Sequence, residues 1–221
     1  MLVAAAVCPH PPLLVPQLAA GAAPEMDDVR RGCARAVDAL WAAAPDVVFV
    51  VGGDAGNRAT SFAPWGEPFA VDLPEPLPLA HLVGGWLTQG RNRSFVVVAD
   101  ELEPAECADL GAELAASAGR VALLVMGDGS ARHSEKAPGY LDERAAGFDQ
   151  SVAGAFAHAD VDALLALDPV LARALMAAGR APWQVLAGAA RGLPAPTVET
   201  GFAVPYGVGY HVVTWQWQVN A

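Results

Sequence analysis

The sequence predicts an α/β fold, a three-layer α/β/α sandwich around a mostly parallel, mixed β-sheet. Short apolar runs rich in β-branched residues alternate with alanine-rich segments of helical spacing, which is typical of buried strands covered by helices on both faces. The last segment, "YHVVTWQWQV", alternates more strongly and predicts an antiparallel strand. The chain has 221 residues, of which 54% are hydrophobic, so it can bury a sizeable core. We expect a single domain over residues 1–221.

Five strands follow from the apolar runs, in the order Leu2–Val7, Val47–Val51, Phe95–Ala99, Val121–Met126 and Val212–Trp217. Five helices follow from the alanine-rich segments: Asp27–Ala43, Pro78–Gly90, Pro104–Ala118, Leu141–Ala157 and Pro169–Ala178. Pro104 and Pro169 occur where a first helical turn tolerates proline, and "SAGR" and "AAGR" each supply a glycine stop. The proline-rich Asp72–Ala80 segment predicts an extended surface connection.

The charge and cysteine content exclude several classes of protein. The net charge is −11 and the pI about 4.7, which argues against a nucleic-acid partner and an anionic membrane surface. The three cysteines are widely spaced and form no CxxC, so we expect neither a disulfide framework nor a zinc-thiolate site. No apolar run approaches the length of a membrane span. We therefore expect a cytoplasmic protein with a small-molecule partner, and a homo-oligomer remains open.

Polar residues follow three of the predicted strands. His10 lies among three prolines after the first strand, Asp54 follows "VVFVVGG", and His133 ends the loop "GDGSARH" after the fourth strand. In open α/β sheets ligands bind beyond the carboxyl ends of the strands, so these side chains predict a site there. Imidazole suits metal binding and proton transfer.

Structural roles also fit each of these residues. His10 and His133 could be loop histidines satisfied by hydrogen bonds, and Asp54 could cap the following helix. We interpret the remaining histidines, His81, His158 and His211, as structural. Tyr206 and Tyr210, in the glycine-punctuated "AVPYGVGYHV", could line a pocket. There is no G-x-S-x-G, HExxH or P-loop motif.

Three motifs, "CPHPPLLVP", "VMGDGSARHS" and "VPYGVGY", together resemble the class III extradiol ring-cleavage dioxygenase superfamily, in particular the branch that holds the Memo-like proteins and other relatives of the catalytic subunit. The resemblance covers nearly the whole chain and keeps the motifs in order. It implies an α/β/α sandwich and an Fe(II) or other divalent metal held by two histidines and a glutamate. By motif position, His10 matches the first metal histidine and His133 the catalytic histidine that moves protons.

The sequence departs from the family at the other two ligand positions. Where the second histidine is expected, Asp54 is the nearest candidate ligand. Where a glutamate is expected on a late helix, Gln184 is the best candidate, and its amide is neutral. The resemblance therefore implies a degenerate site of His10, Asp54 and Gln184, which would bind iron weakly, or no metal at all.

Three classes of function follow. The first is an extradiol-dioxygenase-like oxidoreductase acting on a small catechol-type substrate, with His10 also in a catalytic role. The second is a metal-free family member that binds small molecules or another protein. The third is a metal-free hydrolase or lyase using His10, Asp54 and His133 as an acid–base cluster.

Overall fold

The computed structural model describes residues 1–19 and 24–218. The strands of its main sheet are β1 (Leu2–Cys8), β2 (Val47–Gly53), β5 (Ser94–Val98), β6 (Val121–Met126), β7 (Thr197–Ala203) and β8 (Tyr210–Gln216). Two short strands, β3 (Arg58–Ala59) and β4 (Leu77–Pro78), form a separate antiparallel pair. The order of strands across the main sheet is β5-β2-β6-β1-β8-β7.

The six-stranded sheet is mixed, as the sequence predicted. Strands β5, β2, β6 and β1 are parallel, while β8 runs antiparallel to β1 and β7 antiparallel to β8. All five predicted strands are present, with ends that differ by at most two residues. β7 was not predicted because it is an edge strand, and its sequence "TVETGFA" is mostly exposed and lacks an apolar run.

Helices cover both faces of the sheet, which confirms the three-layer sandwich. The helices are α1 (Pro16–Ala19), α2 (Asp27–Ala42), α3 (Leu79–Leu87), α4 (Pro104–Ala116), α5 (Arg144–His158), α6 (Val161–Leu165), α7 (Pro169–Ala174) and α8 (Arg180–Ala190). Side chains of β1 alternate between two apolar clusters. Leu2, Ala5 and Val7 pack toward α4–α8, and Ala4, Ala6 and Cys8 pack toward α1–α3.

The predicted helices are present, but several are shorter than expected. α5 begins at Arg144 rather than Leu141, because the Asp142 carboxylate accepts a hydrogen bond from the Arg144 backbone amide and forms a turn there. α7 ends at Ala174 rather than Ala178, since Met176 adopts a left-handed conformation with φ of 55°. Within the described part of the chain, no helix has both the length and the hydrophobicity needed to cross a bilayer.

The topology brings several polar loops to one edge of the sheet. The carboxyl ends of the four parallel strands lie at this edge, and β8 begins there because it runs in the opposite direction. The segments after β1, β2 and β6 and the turn before β8 therefore meet. This carboxyl edge is where a ligand site is expected in an open α/β sheet.

Candidate active site at the carboxyl edge of the sheet

The centre of the site is His10, which is paired with Asp128 rather than with Asp54. The His10 backbone amide donates a 2.8 Å hydrogen bond to Asp128 Oδ1. The same oxygen lies 3.7 Å from His10 Nδ1. This Nδ1 is buried and has no hydrogen-bond partner among the described residues. The ring thus turns Nδ1 toward the carboxylate and leaves Nε2 as the nitrogen available to a ligand.

Backbone hydrogen bonds join the loop after β6 to the turn before β8. Gly129 N donates to the Gly209 carbonyl at 2.7 Å, and Gly209 N donates to the Ser130 carbonyl at 2.9 Å. His133 N donates to the Gly207 carbonyl at 3.1 Å. These bonds fix Asp128 and Tyr210 opposite His10, on two segments far apart in sequence. The prolines around His10 hold the third segment, since a proline ring restricts φ.

A cavity of about 300 Å³ opens beside His10 and Asp128. Its walls are largely apolar, and both tyrosines of the predicted pocket line it. The lining residues are His10, Pro11, Pro12, Leu13, Leu79, Asp128, Ala131, Pro138, Met176, Ala178, Tyr206, Val208 and Tyr210. Among the described residues, no lysine or arginine lines this cavity. Concave, mainly apolar pockets with a few convergent polar groups are typical of small-molecule sites.

Burial shifts the pKa values of two groups in this cavity. It raises the pKa of Asp128, and the nearby His10 opposes that effect. It also raises the pKa of the Tyr210 hydroxyl, and the Asp128 carboxylate adds to that rise because a second negative charge is disfavoured beside it. Tyr210 is 2% exposed, so it remains a neutral hydroxyl that can donate a hydrogen bond.

His133 belongs to a second polar cluster, centred on the buried carboxylate of Asp149. His133 Nε2 lies 2.6 Å from Asp149 Oδ2, and His211 Nε2 lies 3.3 Å from Asp149 Oδ1. The Ser130 backbone amide donates to both carboxylate oxygens, at 3.2 and 3.0 Å. We call His133, Asp149 and His211 the Asp149 cluster. It satisfies a carboxylate that would otherwise be costly to bury.

Asp149 has a signal in the sequence, although no motif contains it. It occurs at helical spacing with the buried residues Ala145, Phe148 and Val152 of α5, so an acid falls on the apolar face of the helix. Such an acid requires partners. Gly209 makes room for it, since a Cβ at that position would lie 2.1 Å from Asp149 Oδ2.

His10 and His133 therefore lie in neighbouring clusters at the same edge rather than in one cavity. A single loop after β6 carries both Asp128, which contacts His10, and His133, which contacts Asp149. The cavity lining includes His10 but not His133. The catalytic roles of both histidines stay predictions. Asp128 and Asp149 are the acids that the sequence reasoning overlooked.

Asp54 is placed at the end of β2 but turns toward a partner of its own. Its Oδ2 accepts a 2.5 Å bond from Arg58 Nη2, and its Oδ1 accepts a 3.1 Å bond from the Gly56 amide. Asp54 is not among the residues that line the cavity around His10. The neighbouring acid Asp100 has its pKa raised by burial, with Glu101 adding a further rise.

Gln184 lies inside the layer formed by α8 and its neighbours. Its amide nitrogen donates to the Leu165 and Leu167 carbonyls, each at 3.0 Å, and its amide oxygen accepts a 3.1 Å bond from Arg180 Nη1. The side chain is completely buried. Each of its polar atoms is thus already used by the protein, and the structure does not bring Gln184 to His10.

These contacts bear on the metal that the resemblance implies. A facial iron site needs two histidines and a carboxylate that converge on one point. Among the described residues, Asp128 is the acid paired with the His10 ring, whereas Asp54 is paired with Arg58 and Gln184 is satisfied inside α8. No group of three or more His, Cys, Asp and Glu side chains in the described residues could hold a metal ion. The residues present therefore do not fit this metal site.

The other two histidines have local roles. His81 on α3 is fully buried, and its Nε2 bonds the Val96 carbonyl at 2.8 Å. Burial lowers the pKa of His81 to about 4, although the bond to Val96 opposes that shift. His158 ends α5, and its Nδ1 lies 2.9 Å from the Gly154 carbonyl one turn earlier. Neither ring lines the cavity around His10.

No protein-family model matches the sequence, and no curated protein shows significant similarity to it. The likeness to the class III extradiol dioxygenases thus depends on the motif residues, and it stays a prediction. The site must be interpreted from its own geometry.

Proposed function

We propose that this chain is a metal-independent relative of the class III extradiol dioxygenases that binds a small hydroxylated molecule and transfers a proton at its hydroxyl group. The observation that carries the proposal is the cavity of about 300 Å³ in which the polar pair His10–Asp128 faces apolar walls. A histidine next to a buried carboxylate is a common arrangement for general base chemistry.

The chemistry follows from the orientation of the His10 ring. Nε2 accepts the proton of the ligand hydroxyl, and Nδ1–H then points toward Asp128 Oδ1, whose negative charge stabilises the imidazolium. The 3.7 Å separation of Nδ1 and Oδ1 shortens when the ring becomes charged, because hydrogen bonds that are long in a ligand-free site often tighten once the ligand is bound. The neutral Tyr210 hydroxyl donates to the ligand oxygen, which then carries the charge.

Charge and size restrict the ligand. The acid Asp128 lines the cavity, and no lysine or arginine of the described residues does. The whole chain has a formal net charge of −11. A carboxylate or phosphate ligand would therefore be repelled, whereas an uncharged molecule would not. Pro11, Leu79 and Val208 offer an apolar surface, and the volume suits a ligand of one or two rings. A phenol combines these properties with a hydroxyl that can lose a proton.

The experiment measures phenol binding by isothermal titration calorimetry, with and without EDTA. We expect saturable binding that EDTA leaves unchanged, and a loss of at least tenfold in affinity in His10→Ala. The matched control is His158→Ala, which removes an exposed imidazole outside the cavity and should bind like the wild type. Binding that disappears with EDTA and returns with Fe(II) would support the iron-dependent ring-cleavage hypothesis instead. Equal affinity in His10→Ala would contradict the proposal.

A further inference from the structure

The two edge strands of the main sheet differ in how well they are covered. In β5 only Ser94 is exposed, whereas five of the seven residues of β7 are exposed. β7 pairs with β8 along its whole length without a bulge, and no strand of the described residues pairs with its outer edge. Native proteins usually protect such an edge with lysine, proline, a bulge or a very short strand, because free amide and carbonyl groups can pair with another chain. β7 has none of these devices.

A groove of about 210 Å³ lies between α2 and β7. It is lined by Arg35 of α2 and by Glu199 and Gly201 of β7, while its other acid, Asp28, is paired with Arg31. Arg35 and Glu199 line the same groove but form no ion pair within the described part of the chain. The groove thus contains one cation and one anion that can each pair with a second molecule.

The sequence of β7 is complementary to itself in an antiparallel arrangement. A two-fold axis through Thr200, the middle residue of β7, pairs all seven residues of one copy with those of another. Thr200 then lies opposite Thr200 of the second copy, and Val198 lies opposite Phe202. Threonine pairs, and pairs of an aromatic with a β-branched residue, both stabilise neighbouring strands. Moving the axis to Glu199 would instead oppose two carboxylates, and a shift by one residue would put each side chain on the wrong face.

We propose that β7 joins two copies of this chain into a symmetric homodimer with one continuous sheet. The open edge is occupied by a second copy rather than by an unrelated peptide, because the strand matches itself and the groove has both charges that the match requires. An interface of this symmetry is isologous, so every contact occurs twice. The inference does not depend on the proposed function of the His10 cavity.

On the face that carries the groove, the dimer brings the two unpaired charges together. Glu199 lies opposite Gly201 of the second copy, about 4.8 Å away across the strands. Gly201 leaves this space open, since a Cβ there would meet only the Val212 carbonyl oxygen, at 4.0 Å. The Glu199 carboxylate therefore enters the groove of the second copy, where Arg35 is its partner. The two-fold axis repeats this ion pair.

On the opposite face, the second copy covers Phe202. This side chain is 44% exposed, and its ring stacks on His211 with a centroid distance of 4.7 Å. Val198 of the second copy packs on the exposed part of the ring. Since His211 belongs to the Asp149 cluster, the dimer also shields that cluster from water.

Sedimentation velocity measures the oligomeric state at about 100 μM chain, where an interface with a micromolar Kd is nearly saturated. We expect the wild type to sediment with twice the mass of the 22.7 kDa chain. Thr200→Lys should sediment as a single chain, because two ammonium groups would meet at the axis. The matched control is Ala112→Lys, which adds the same charge at an exposed position of α4 and should dimerise like the wild type.

Cysteine cross-linking tests the register. Opposite residues of antiparallel strands have Cα atoms about 4.5–5.5 Å apart, which a disulfide can span, and the three native cysteines are buried. With oxidised glutathione, Thr200→Cys should form a disulfide-linked dimer by itself. Thr197→Cys and Ala203→Cys should cross-link only when the two variants are mixed, because each lies opposite the other. Ala112→Cys should stay a single chain.

Charge reversal tests the ion pair. Glu199→Arg and Arg35→Glu should each raise the Kd of the dimer by about fivefold or more, since both symmetric pairs become repulsive. The double variant restores opposite charges, so its Kd should return to within about twofold of the wild type. Equal Kd values in the wild type and both single variants would contradict the pairing of Glu199 with Arg35.

Three further results would overturn the homodimer or its register. A wild type that sediments as a single chain at this concentration would overturn the homodimer. A dimer that persists in Thr200→Lys would place the interface on another surface and overturn the role of β7. Disulfide formation in Thr197→Cys alone, as fast as in Thr200→Cys, would contradict the register.

Discussion

Substituting Asp149 by asparagine tests whether the Asp149 cluster is a buried, charge-dependent network. The carboxylate is completely buried and has His133 Nε2 at 2.6 Å, His211 Nε2 at 3.3 Å and the Ser130 amide on both oxygens. An amide in its place turns an NH₂ group toward one of these donors and removes the charge. Breaking a buried charged network typically costs about 3–5 kcal/mol, so we expect that loss in the free energy of unfolding.

Urea denaturation at neutral pH measures this change, and the slope of the transition should stay constant if the native fold is kept. The control is Asp38→Asn, since Asp38 pairs with Arg91 at 2.5 Å on the surface and should cost less than about 1 kcal/mol. Adding His133→Ala to Asp149→Asn should cost less than the sum of the single effects, because the two side chains share one interaction. A loss in Asp149→Asn no larger than in the control would refute the reasoning.

Three more predictions concern other parts of the fold. Because burial lowers the pKa of His81 from 6.5 to about 4, the unfolded chain binds one more proton than the folded chain between these pH values. The free energy of unfolding of the wild type should therefore fall by about 3 kcal/mol relative to that of His81→Gln as the pH falls from 7 to 4. Urea unfolding at several pH values measures this difference, and parallel pH dependences of the two proteins would contradict the prediction. Gly209→Ala should destabilise the protein by about 1–3 kcal/mol, because the added Cβ would collide with Asp149. Gly147→Ala has open space on α5 and should stabilise the protein by about 0.5–1 kcal/mol. Equal melting temperatures for the two variants would show that the Asp149 cluster accommodates the extra methyl group. Asp54→Ala should leave the affinity for phenol, measured by calorimetry, unchanged, because the partner of Asp54 is Arg58. A large loss of affinity would instead show that Asp54 takes part in ligand binding.

The sequence predicts the fold well because its signals are local. A short, continuous apolar run such as Val121–Met126 indicates a strand buried on both faces. The alternation in "YHVVTWQWQV" indicates the antiparallel strand β8. β7 carries no such signal, since an edge strand that is mostly exposed has little need for apolar residues.

The site was predicted less completely because it depends on contacts between distant segments. The position of His10 after β1 was enough to place it at the carboxyl edge of the sheet. Its partner Asp128 is 118 positions away, and nothing local distinguishes that aspartate from one in a surface loop. Asp54 has the better local position, but the nearby Arg58 offers it a partner. Residue type and strand order locate the edge, whereas the pairing of side chains requires coordinates.

The central claim is that His10, supported by Asp128, takes a proton from a bound hydroxyl without a metal ion. The most direct measurement uses 4-nitrophenol, whose phenolate absorbs visible light while the neutral phenol does not. At a pH below the pKa of the free probe and in the presence of EDTA, mixing with the wild type should produce the phenolate absorbance. Asp128→Asn should reduce it and His10→Ala should abolish it. Bound probe without that absorbance, or the same absorbance in His10→Ala, would contradict the account.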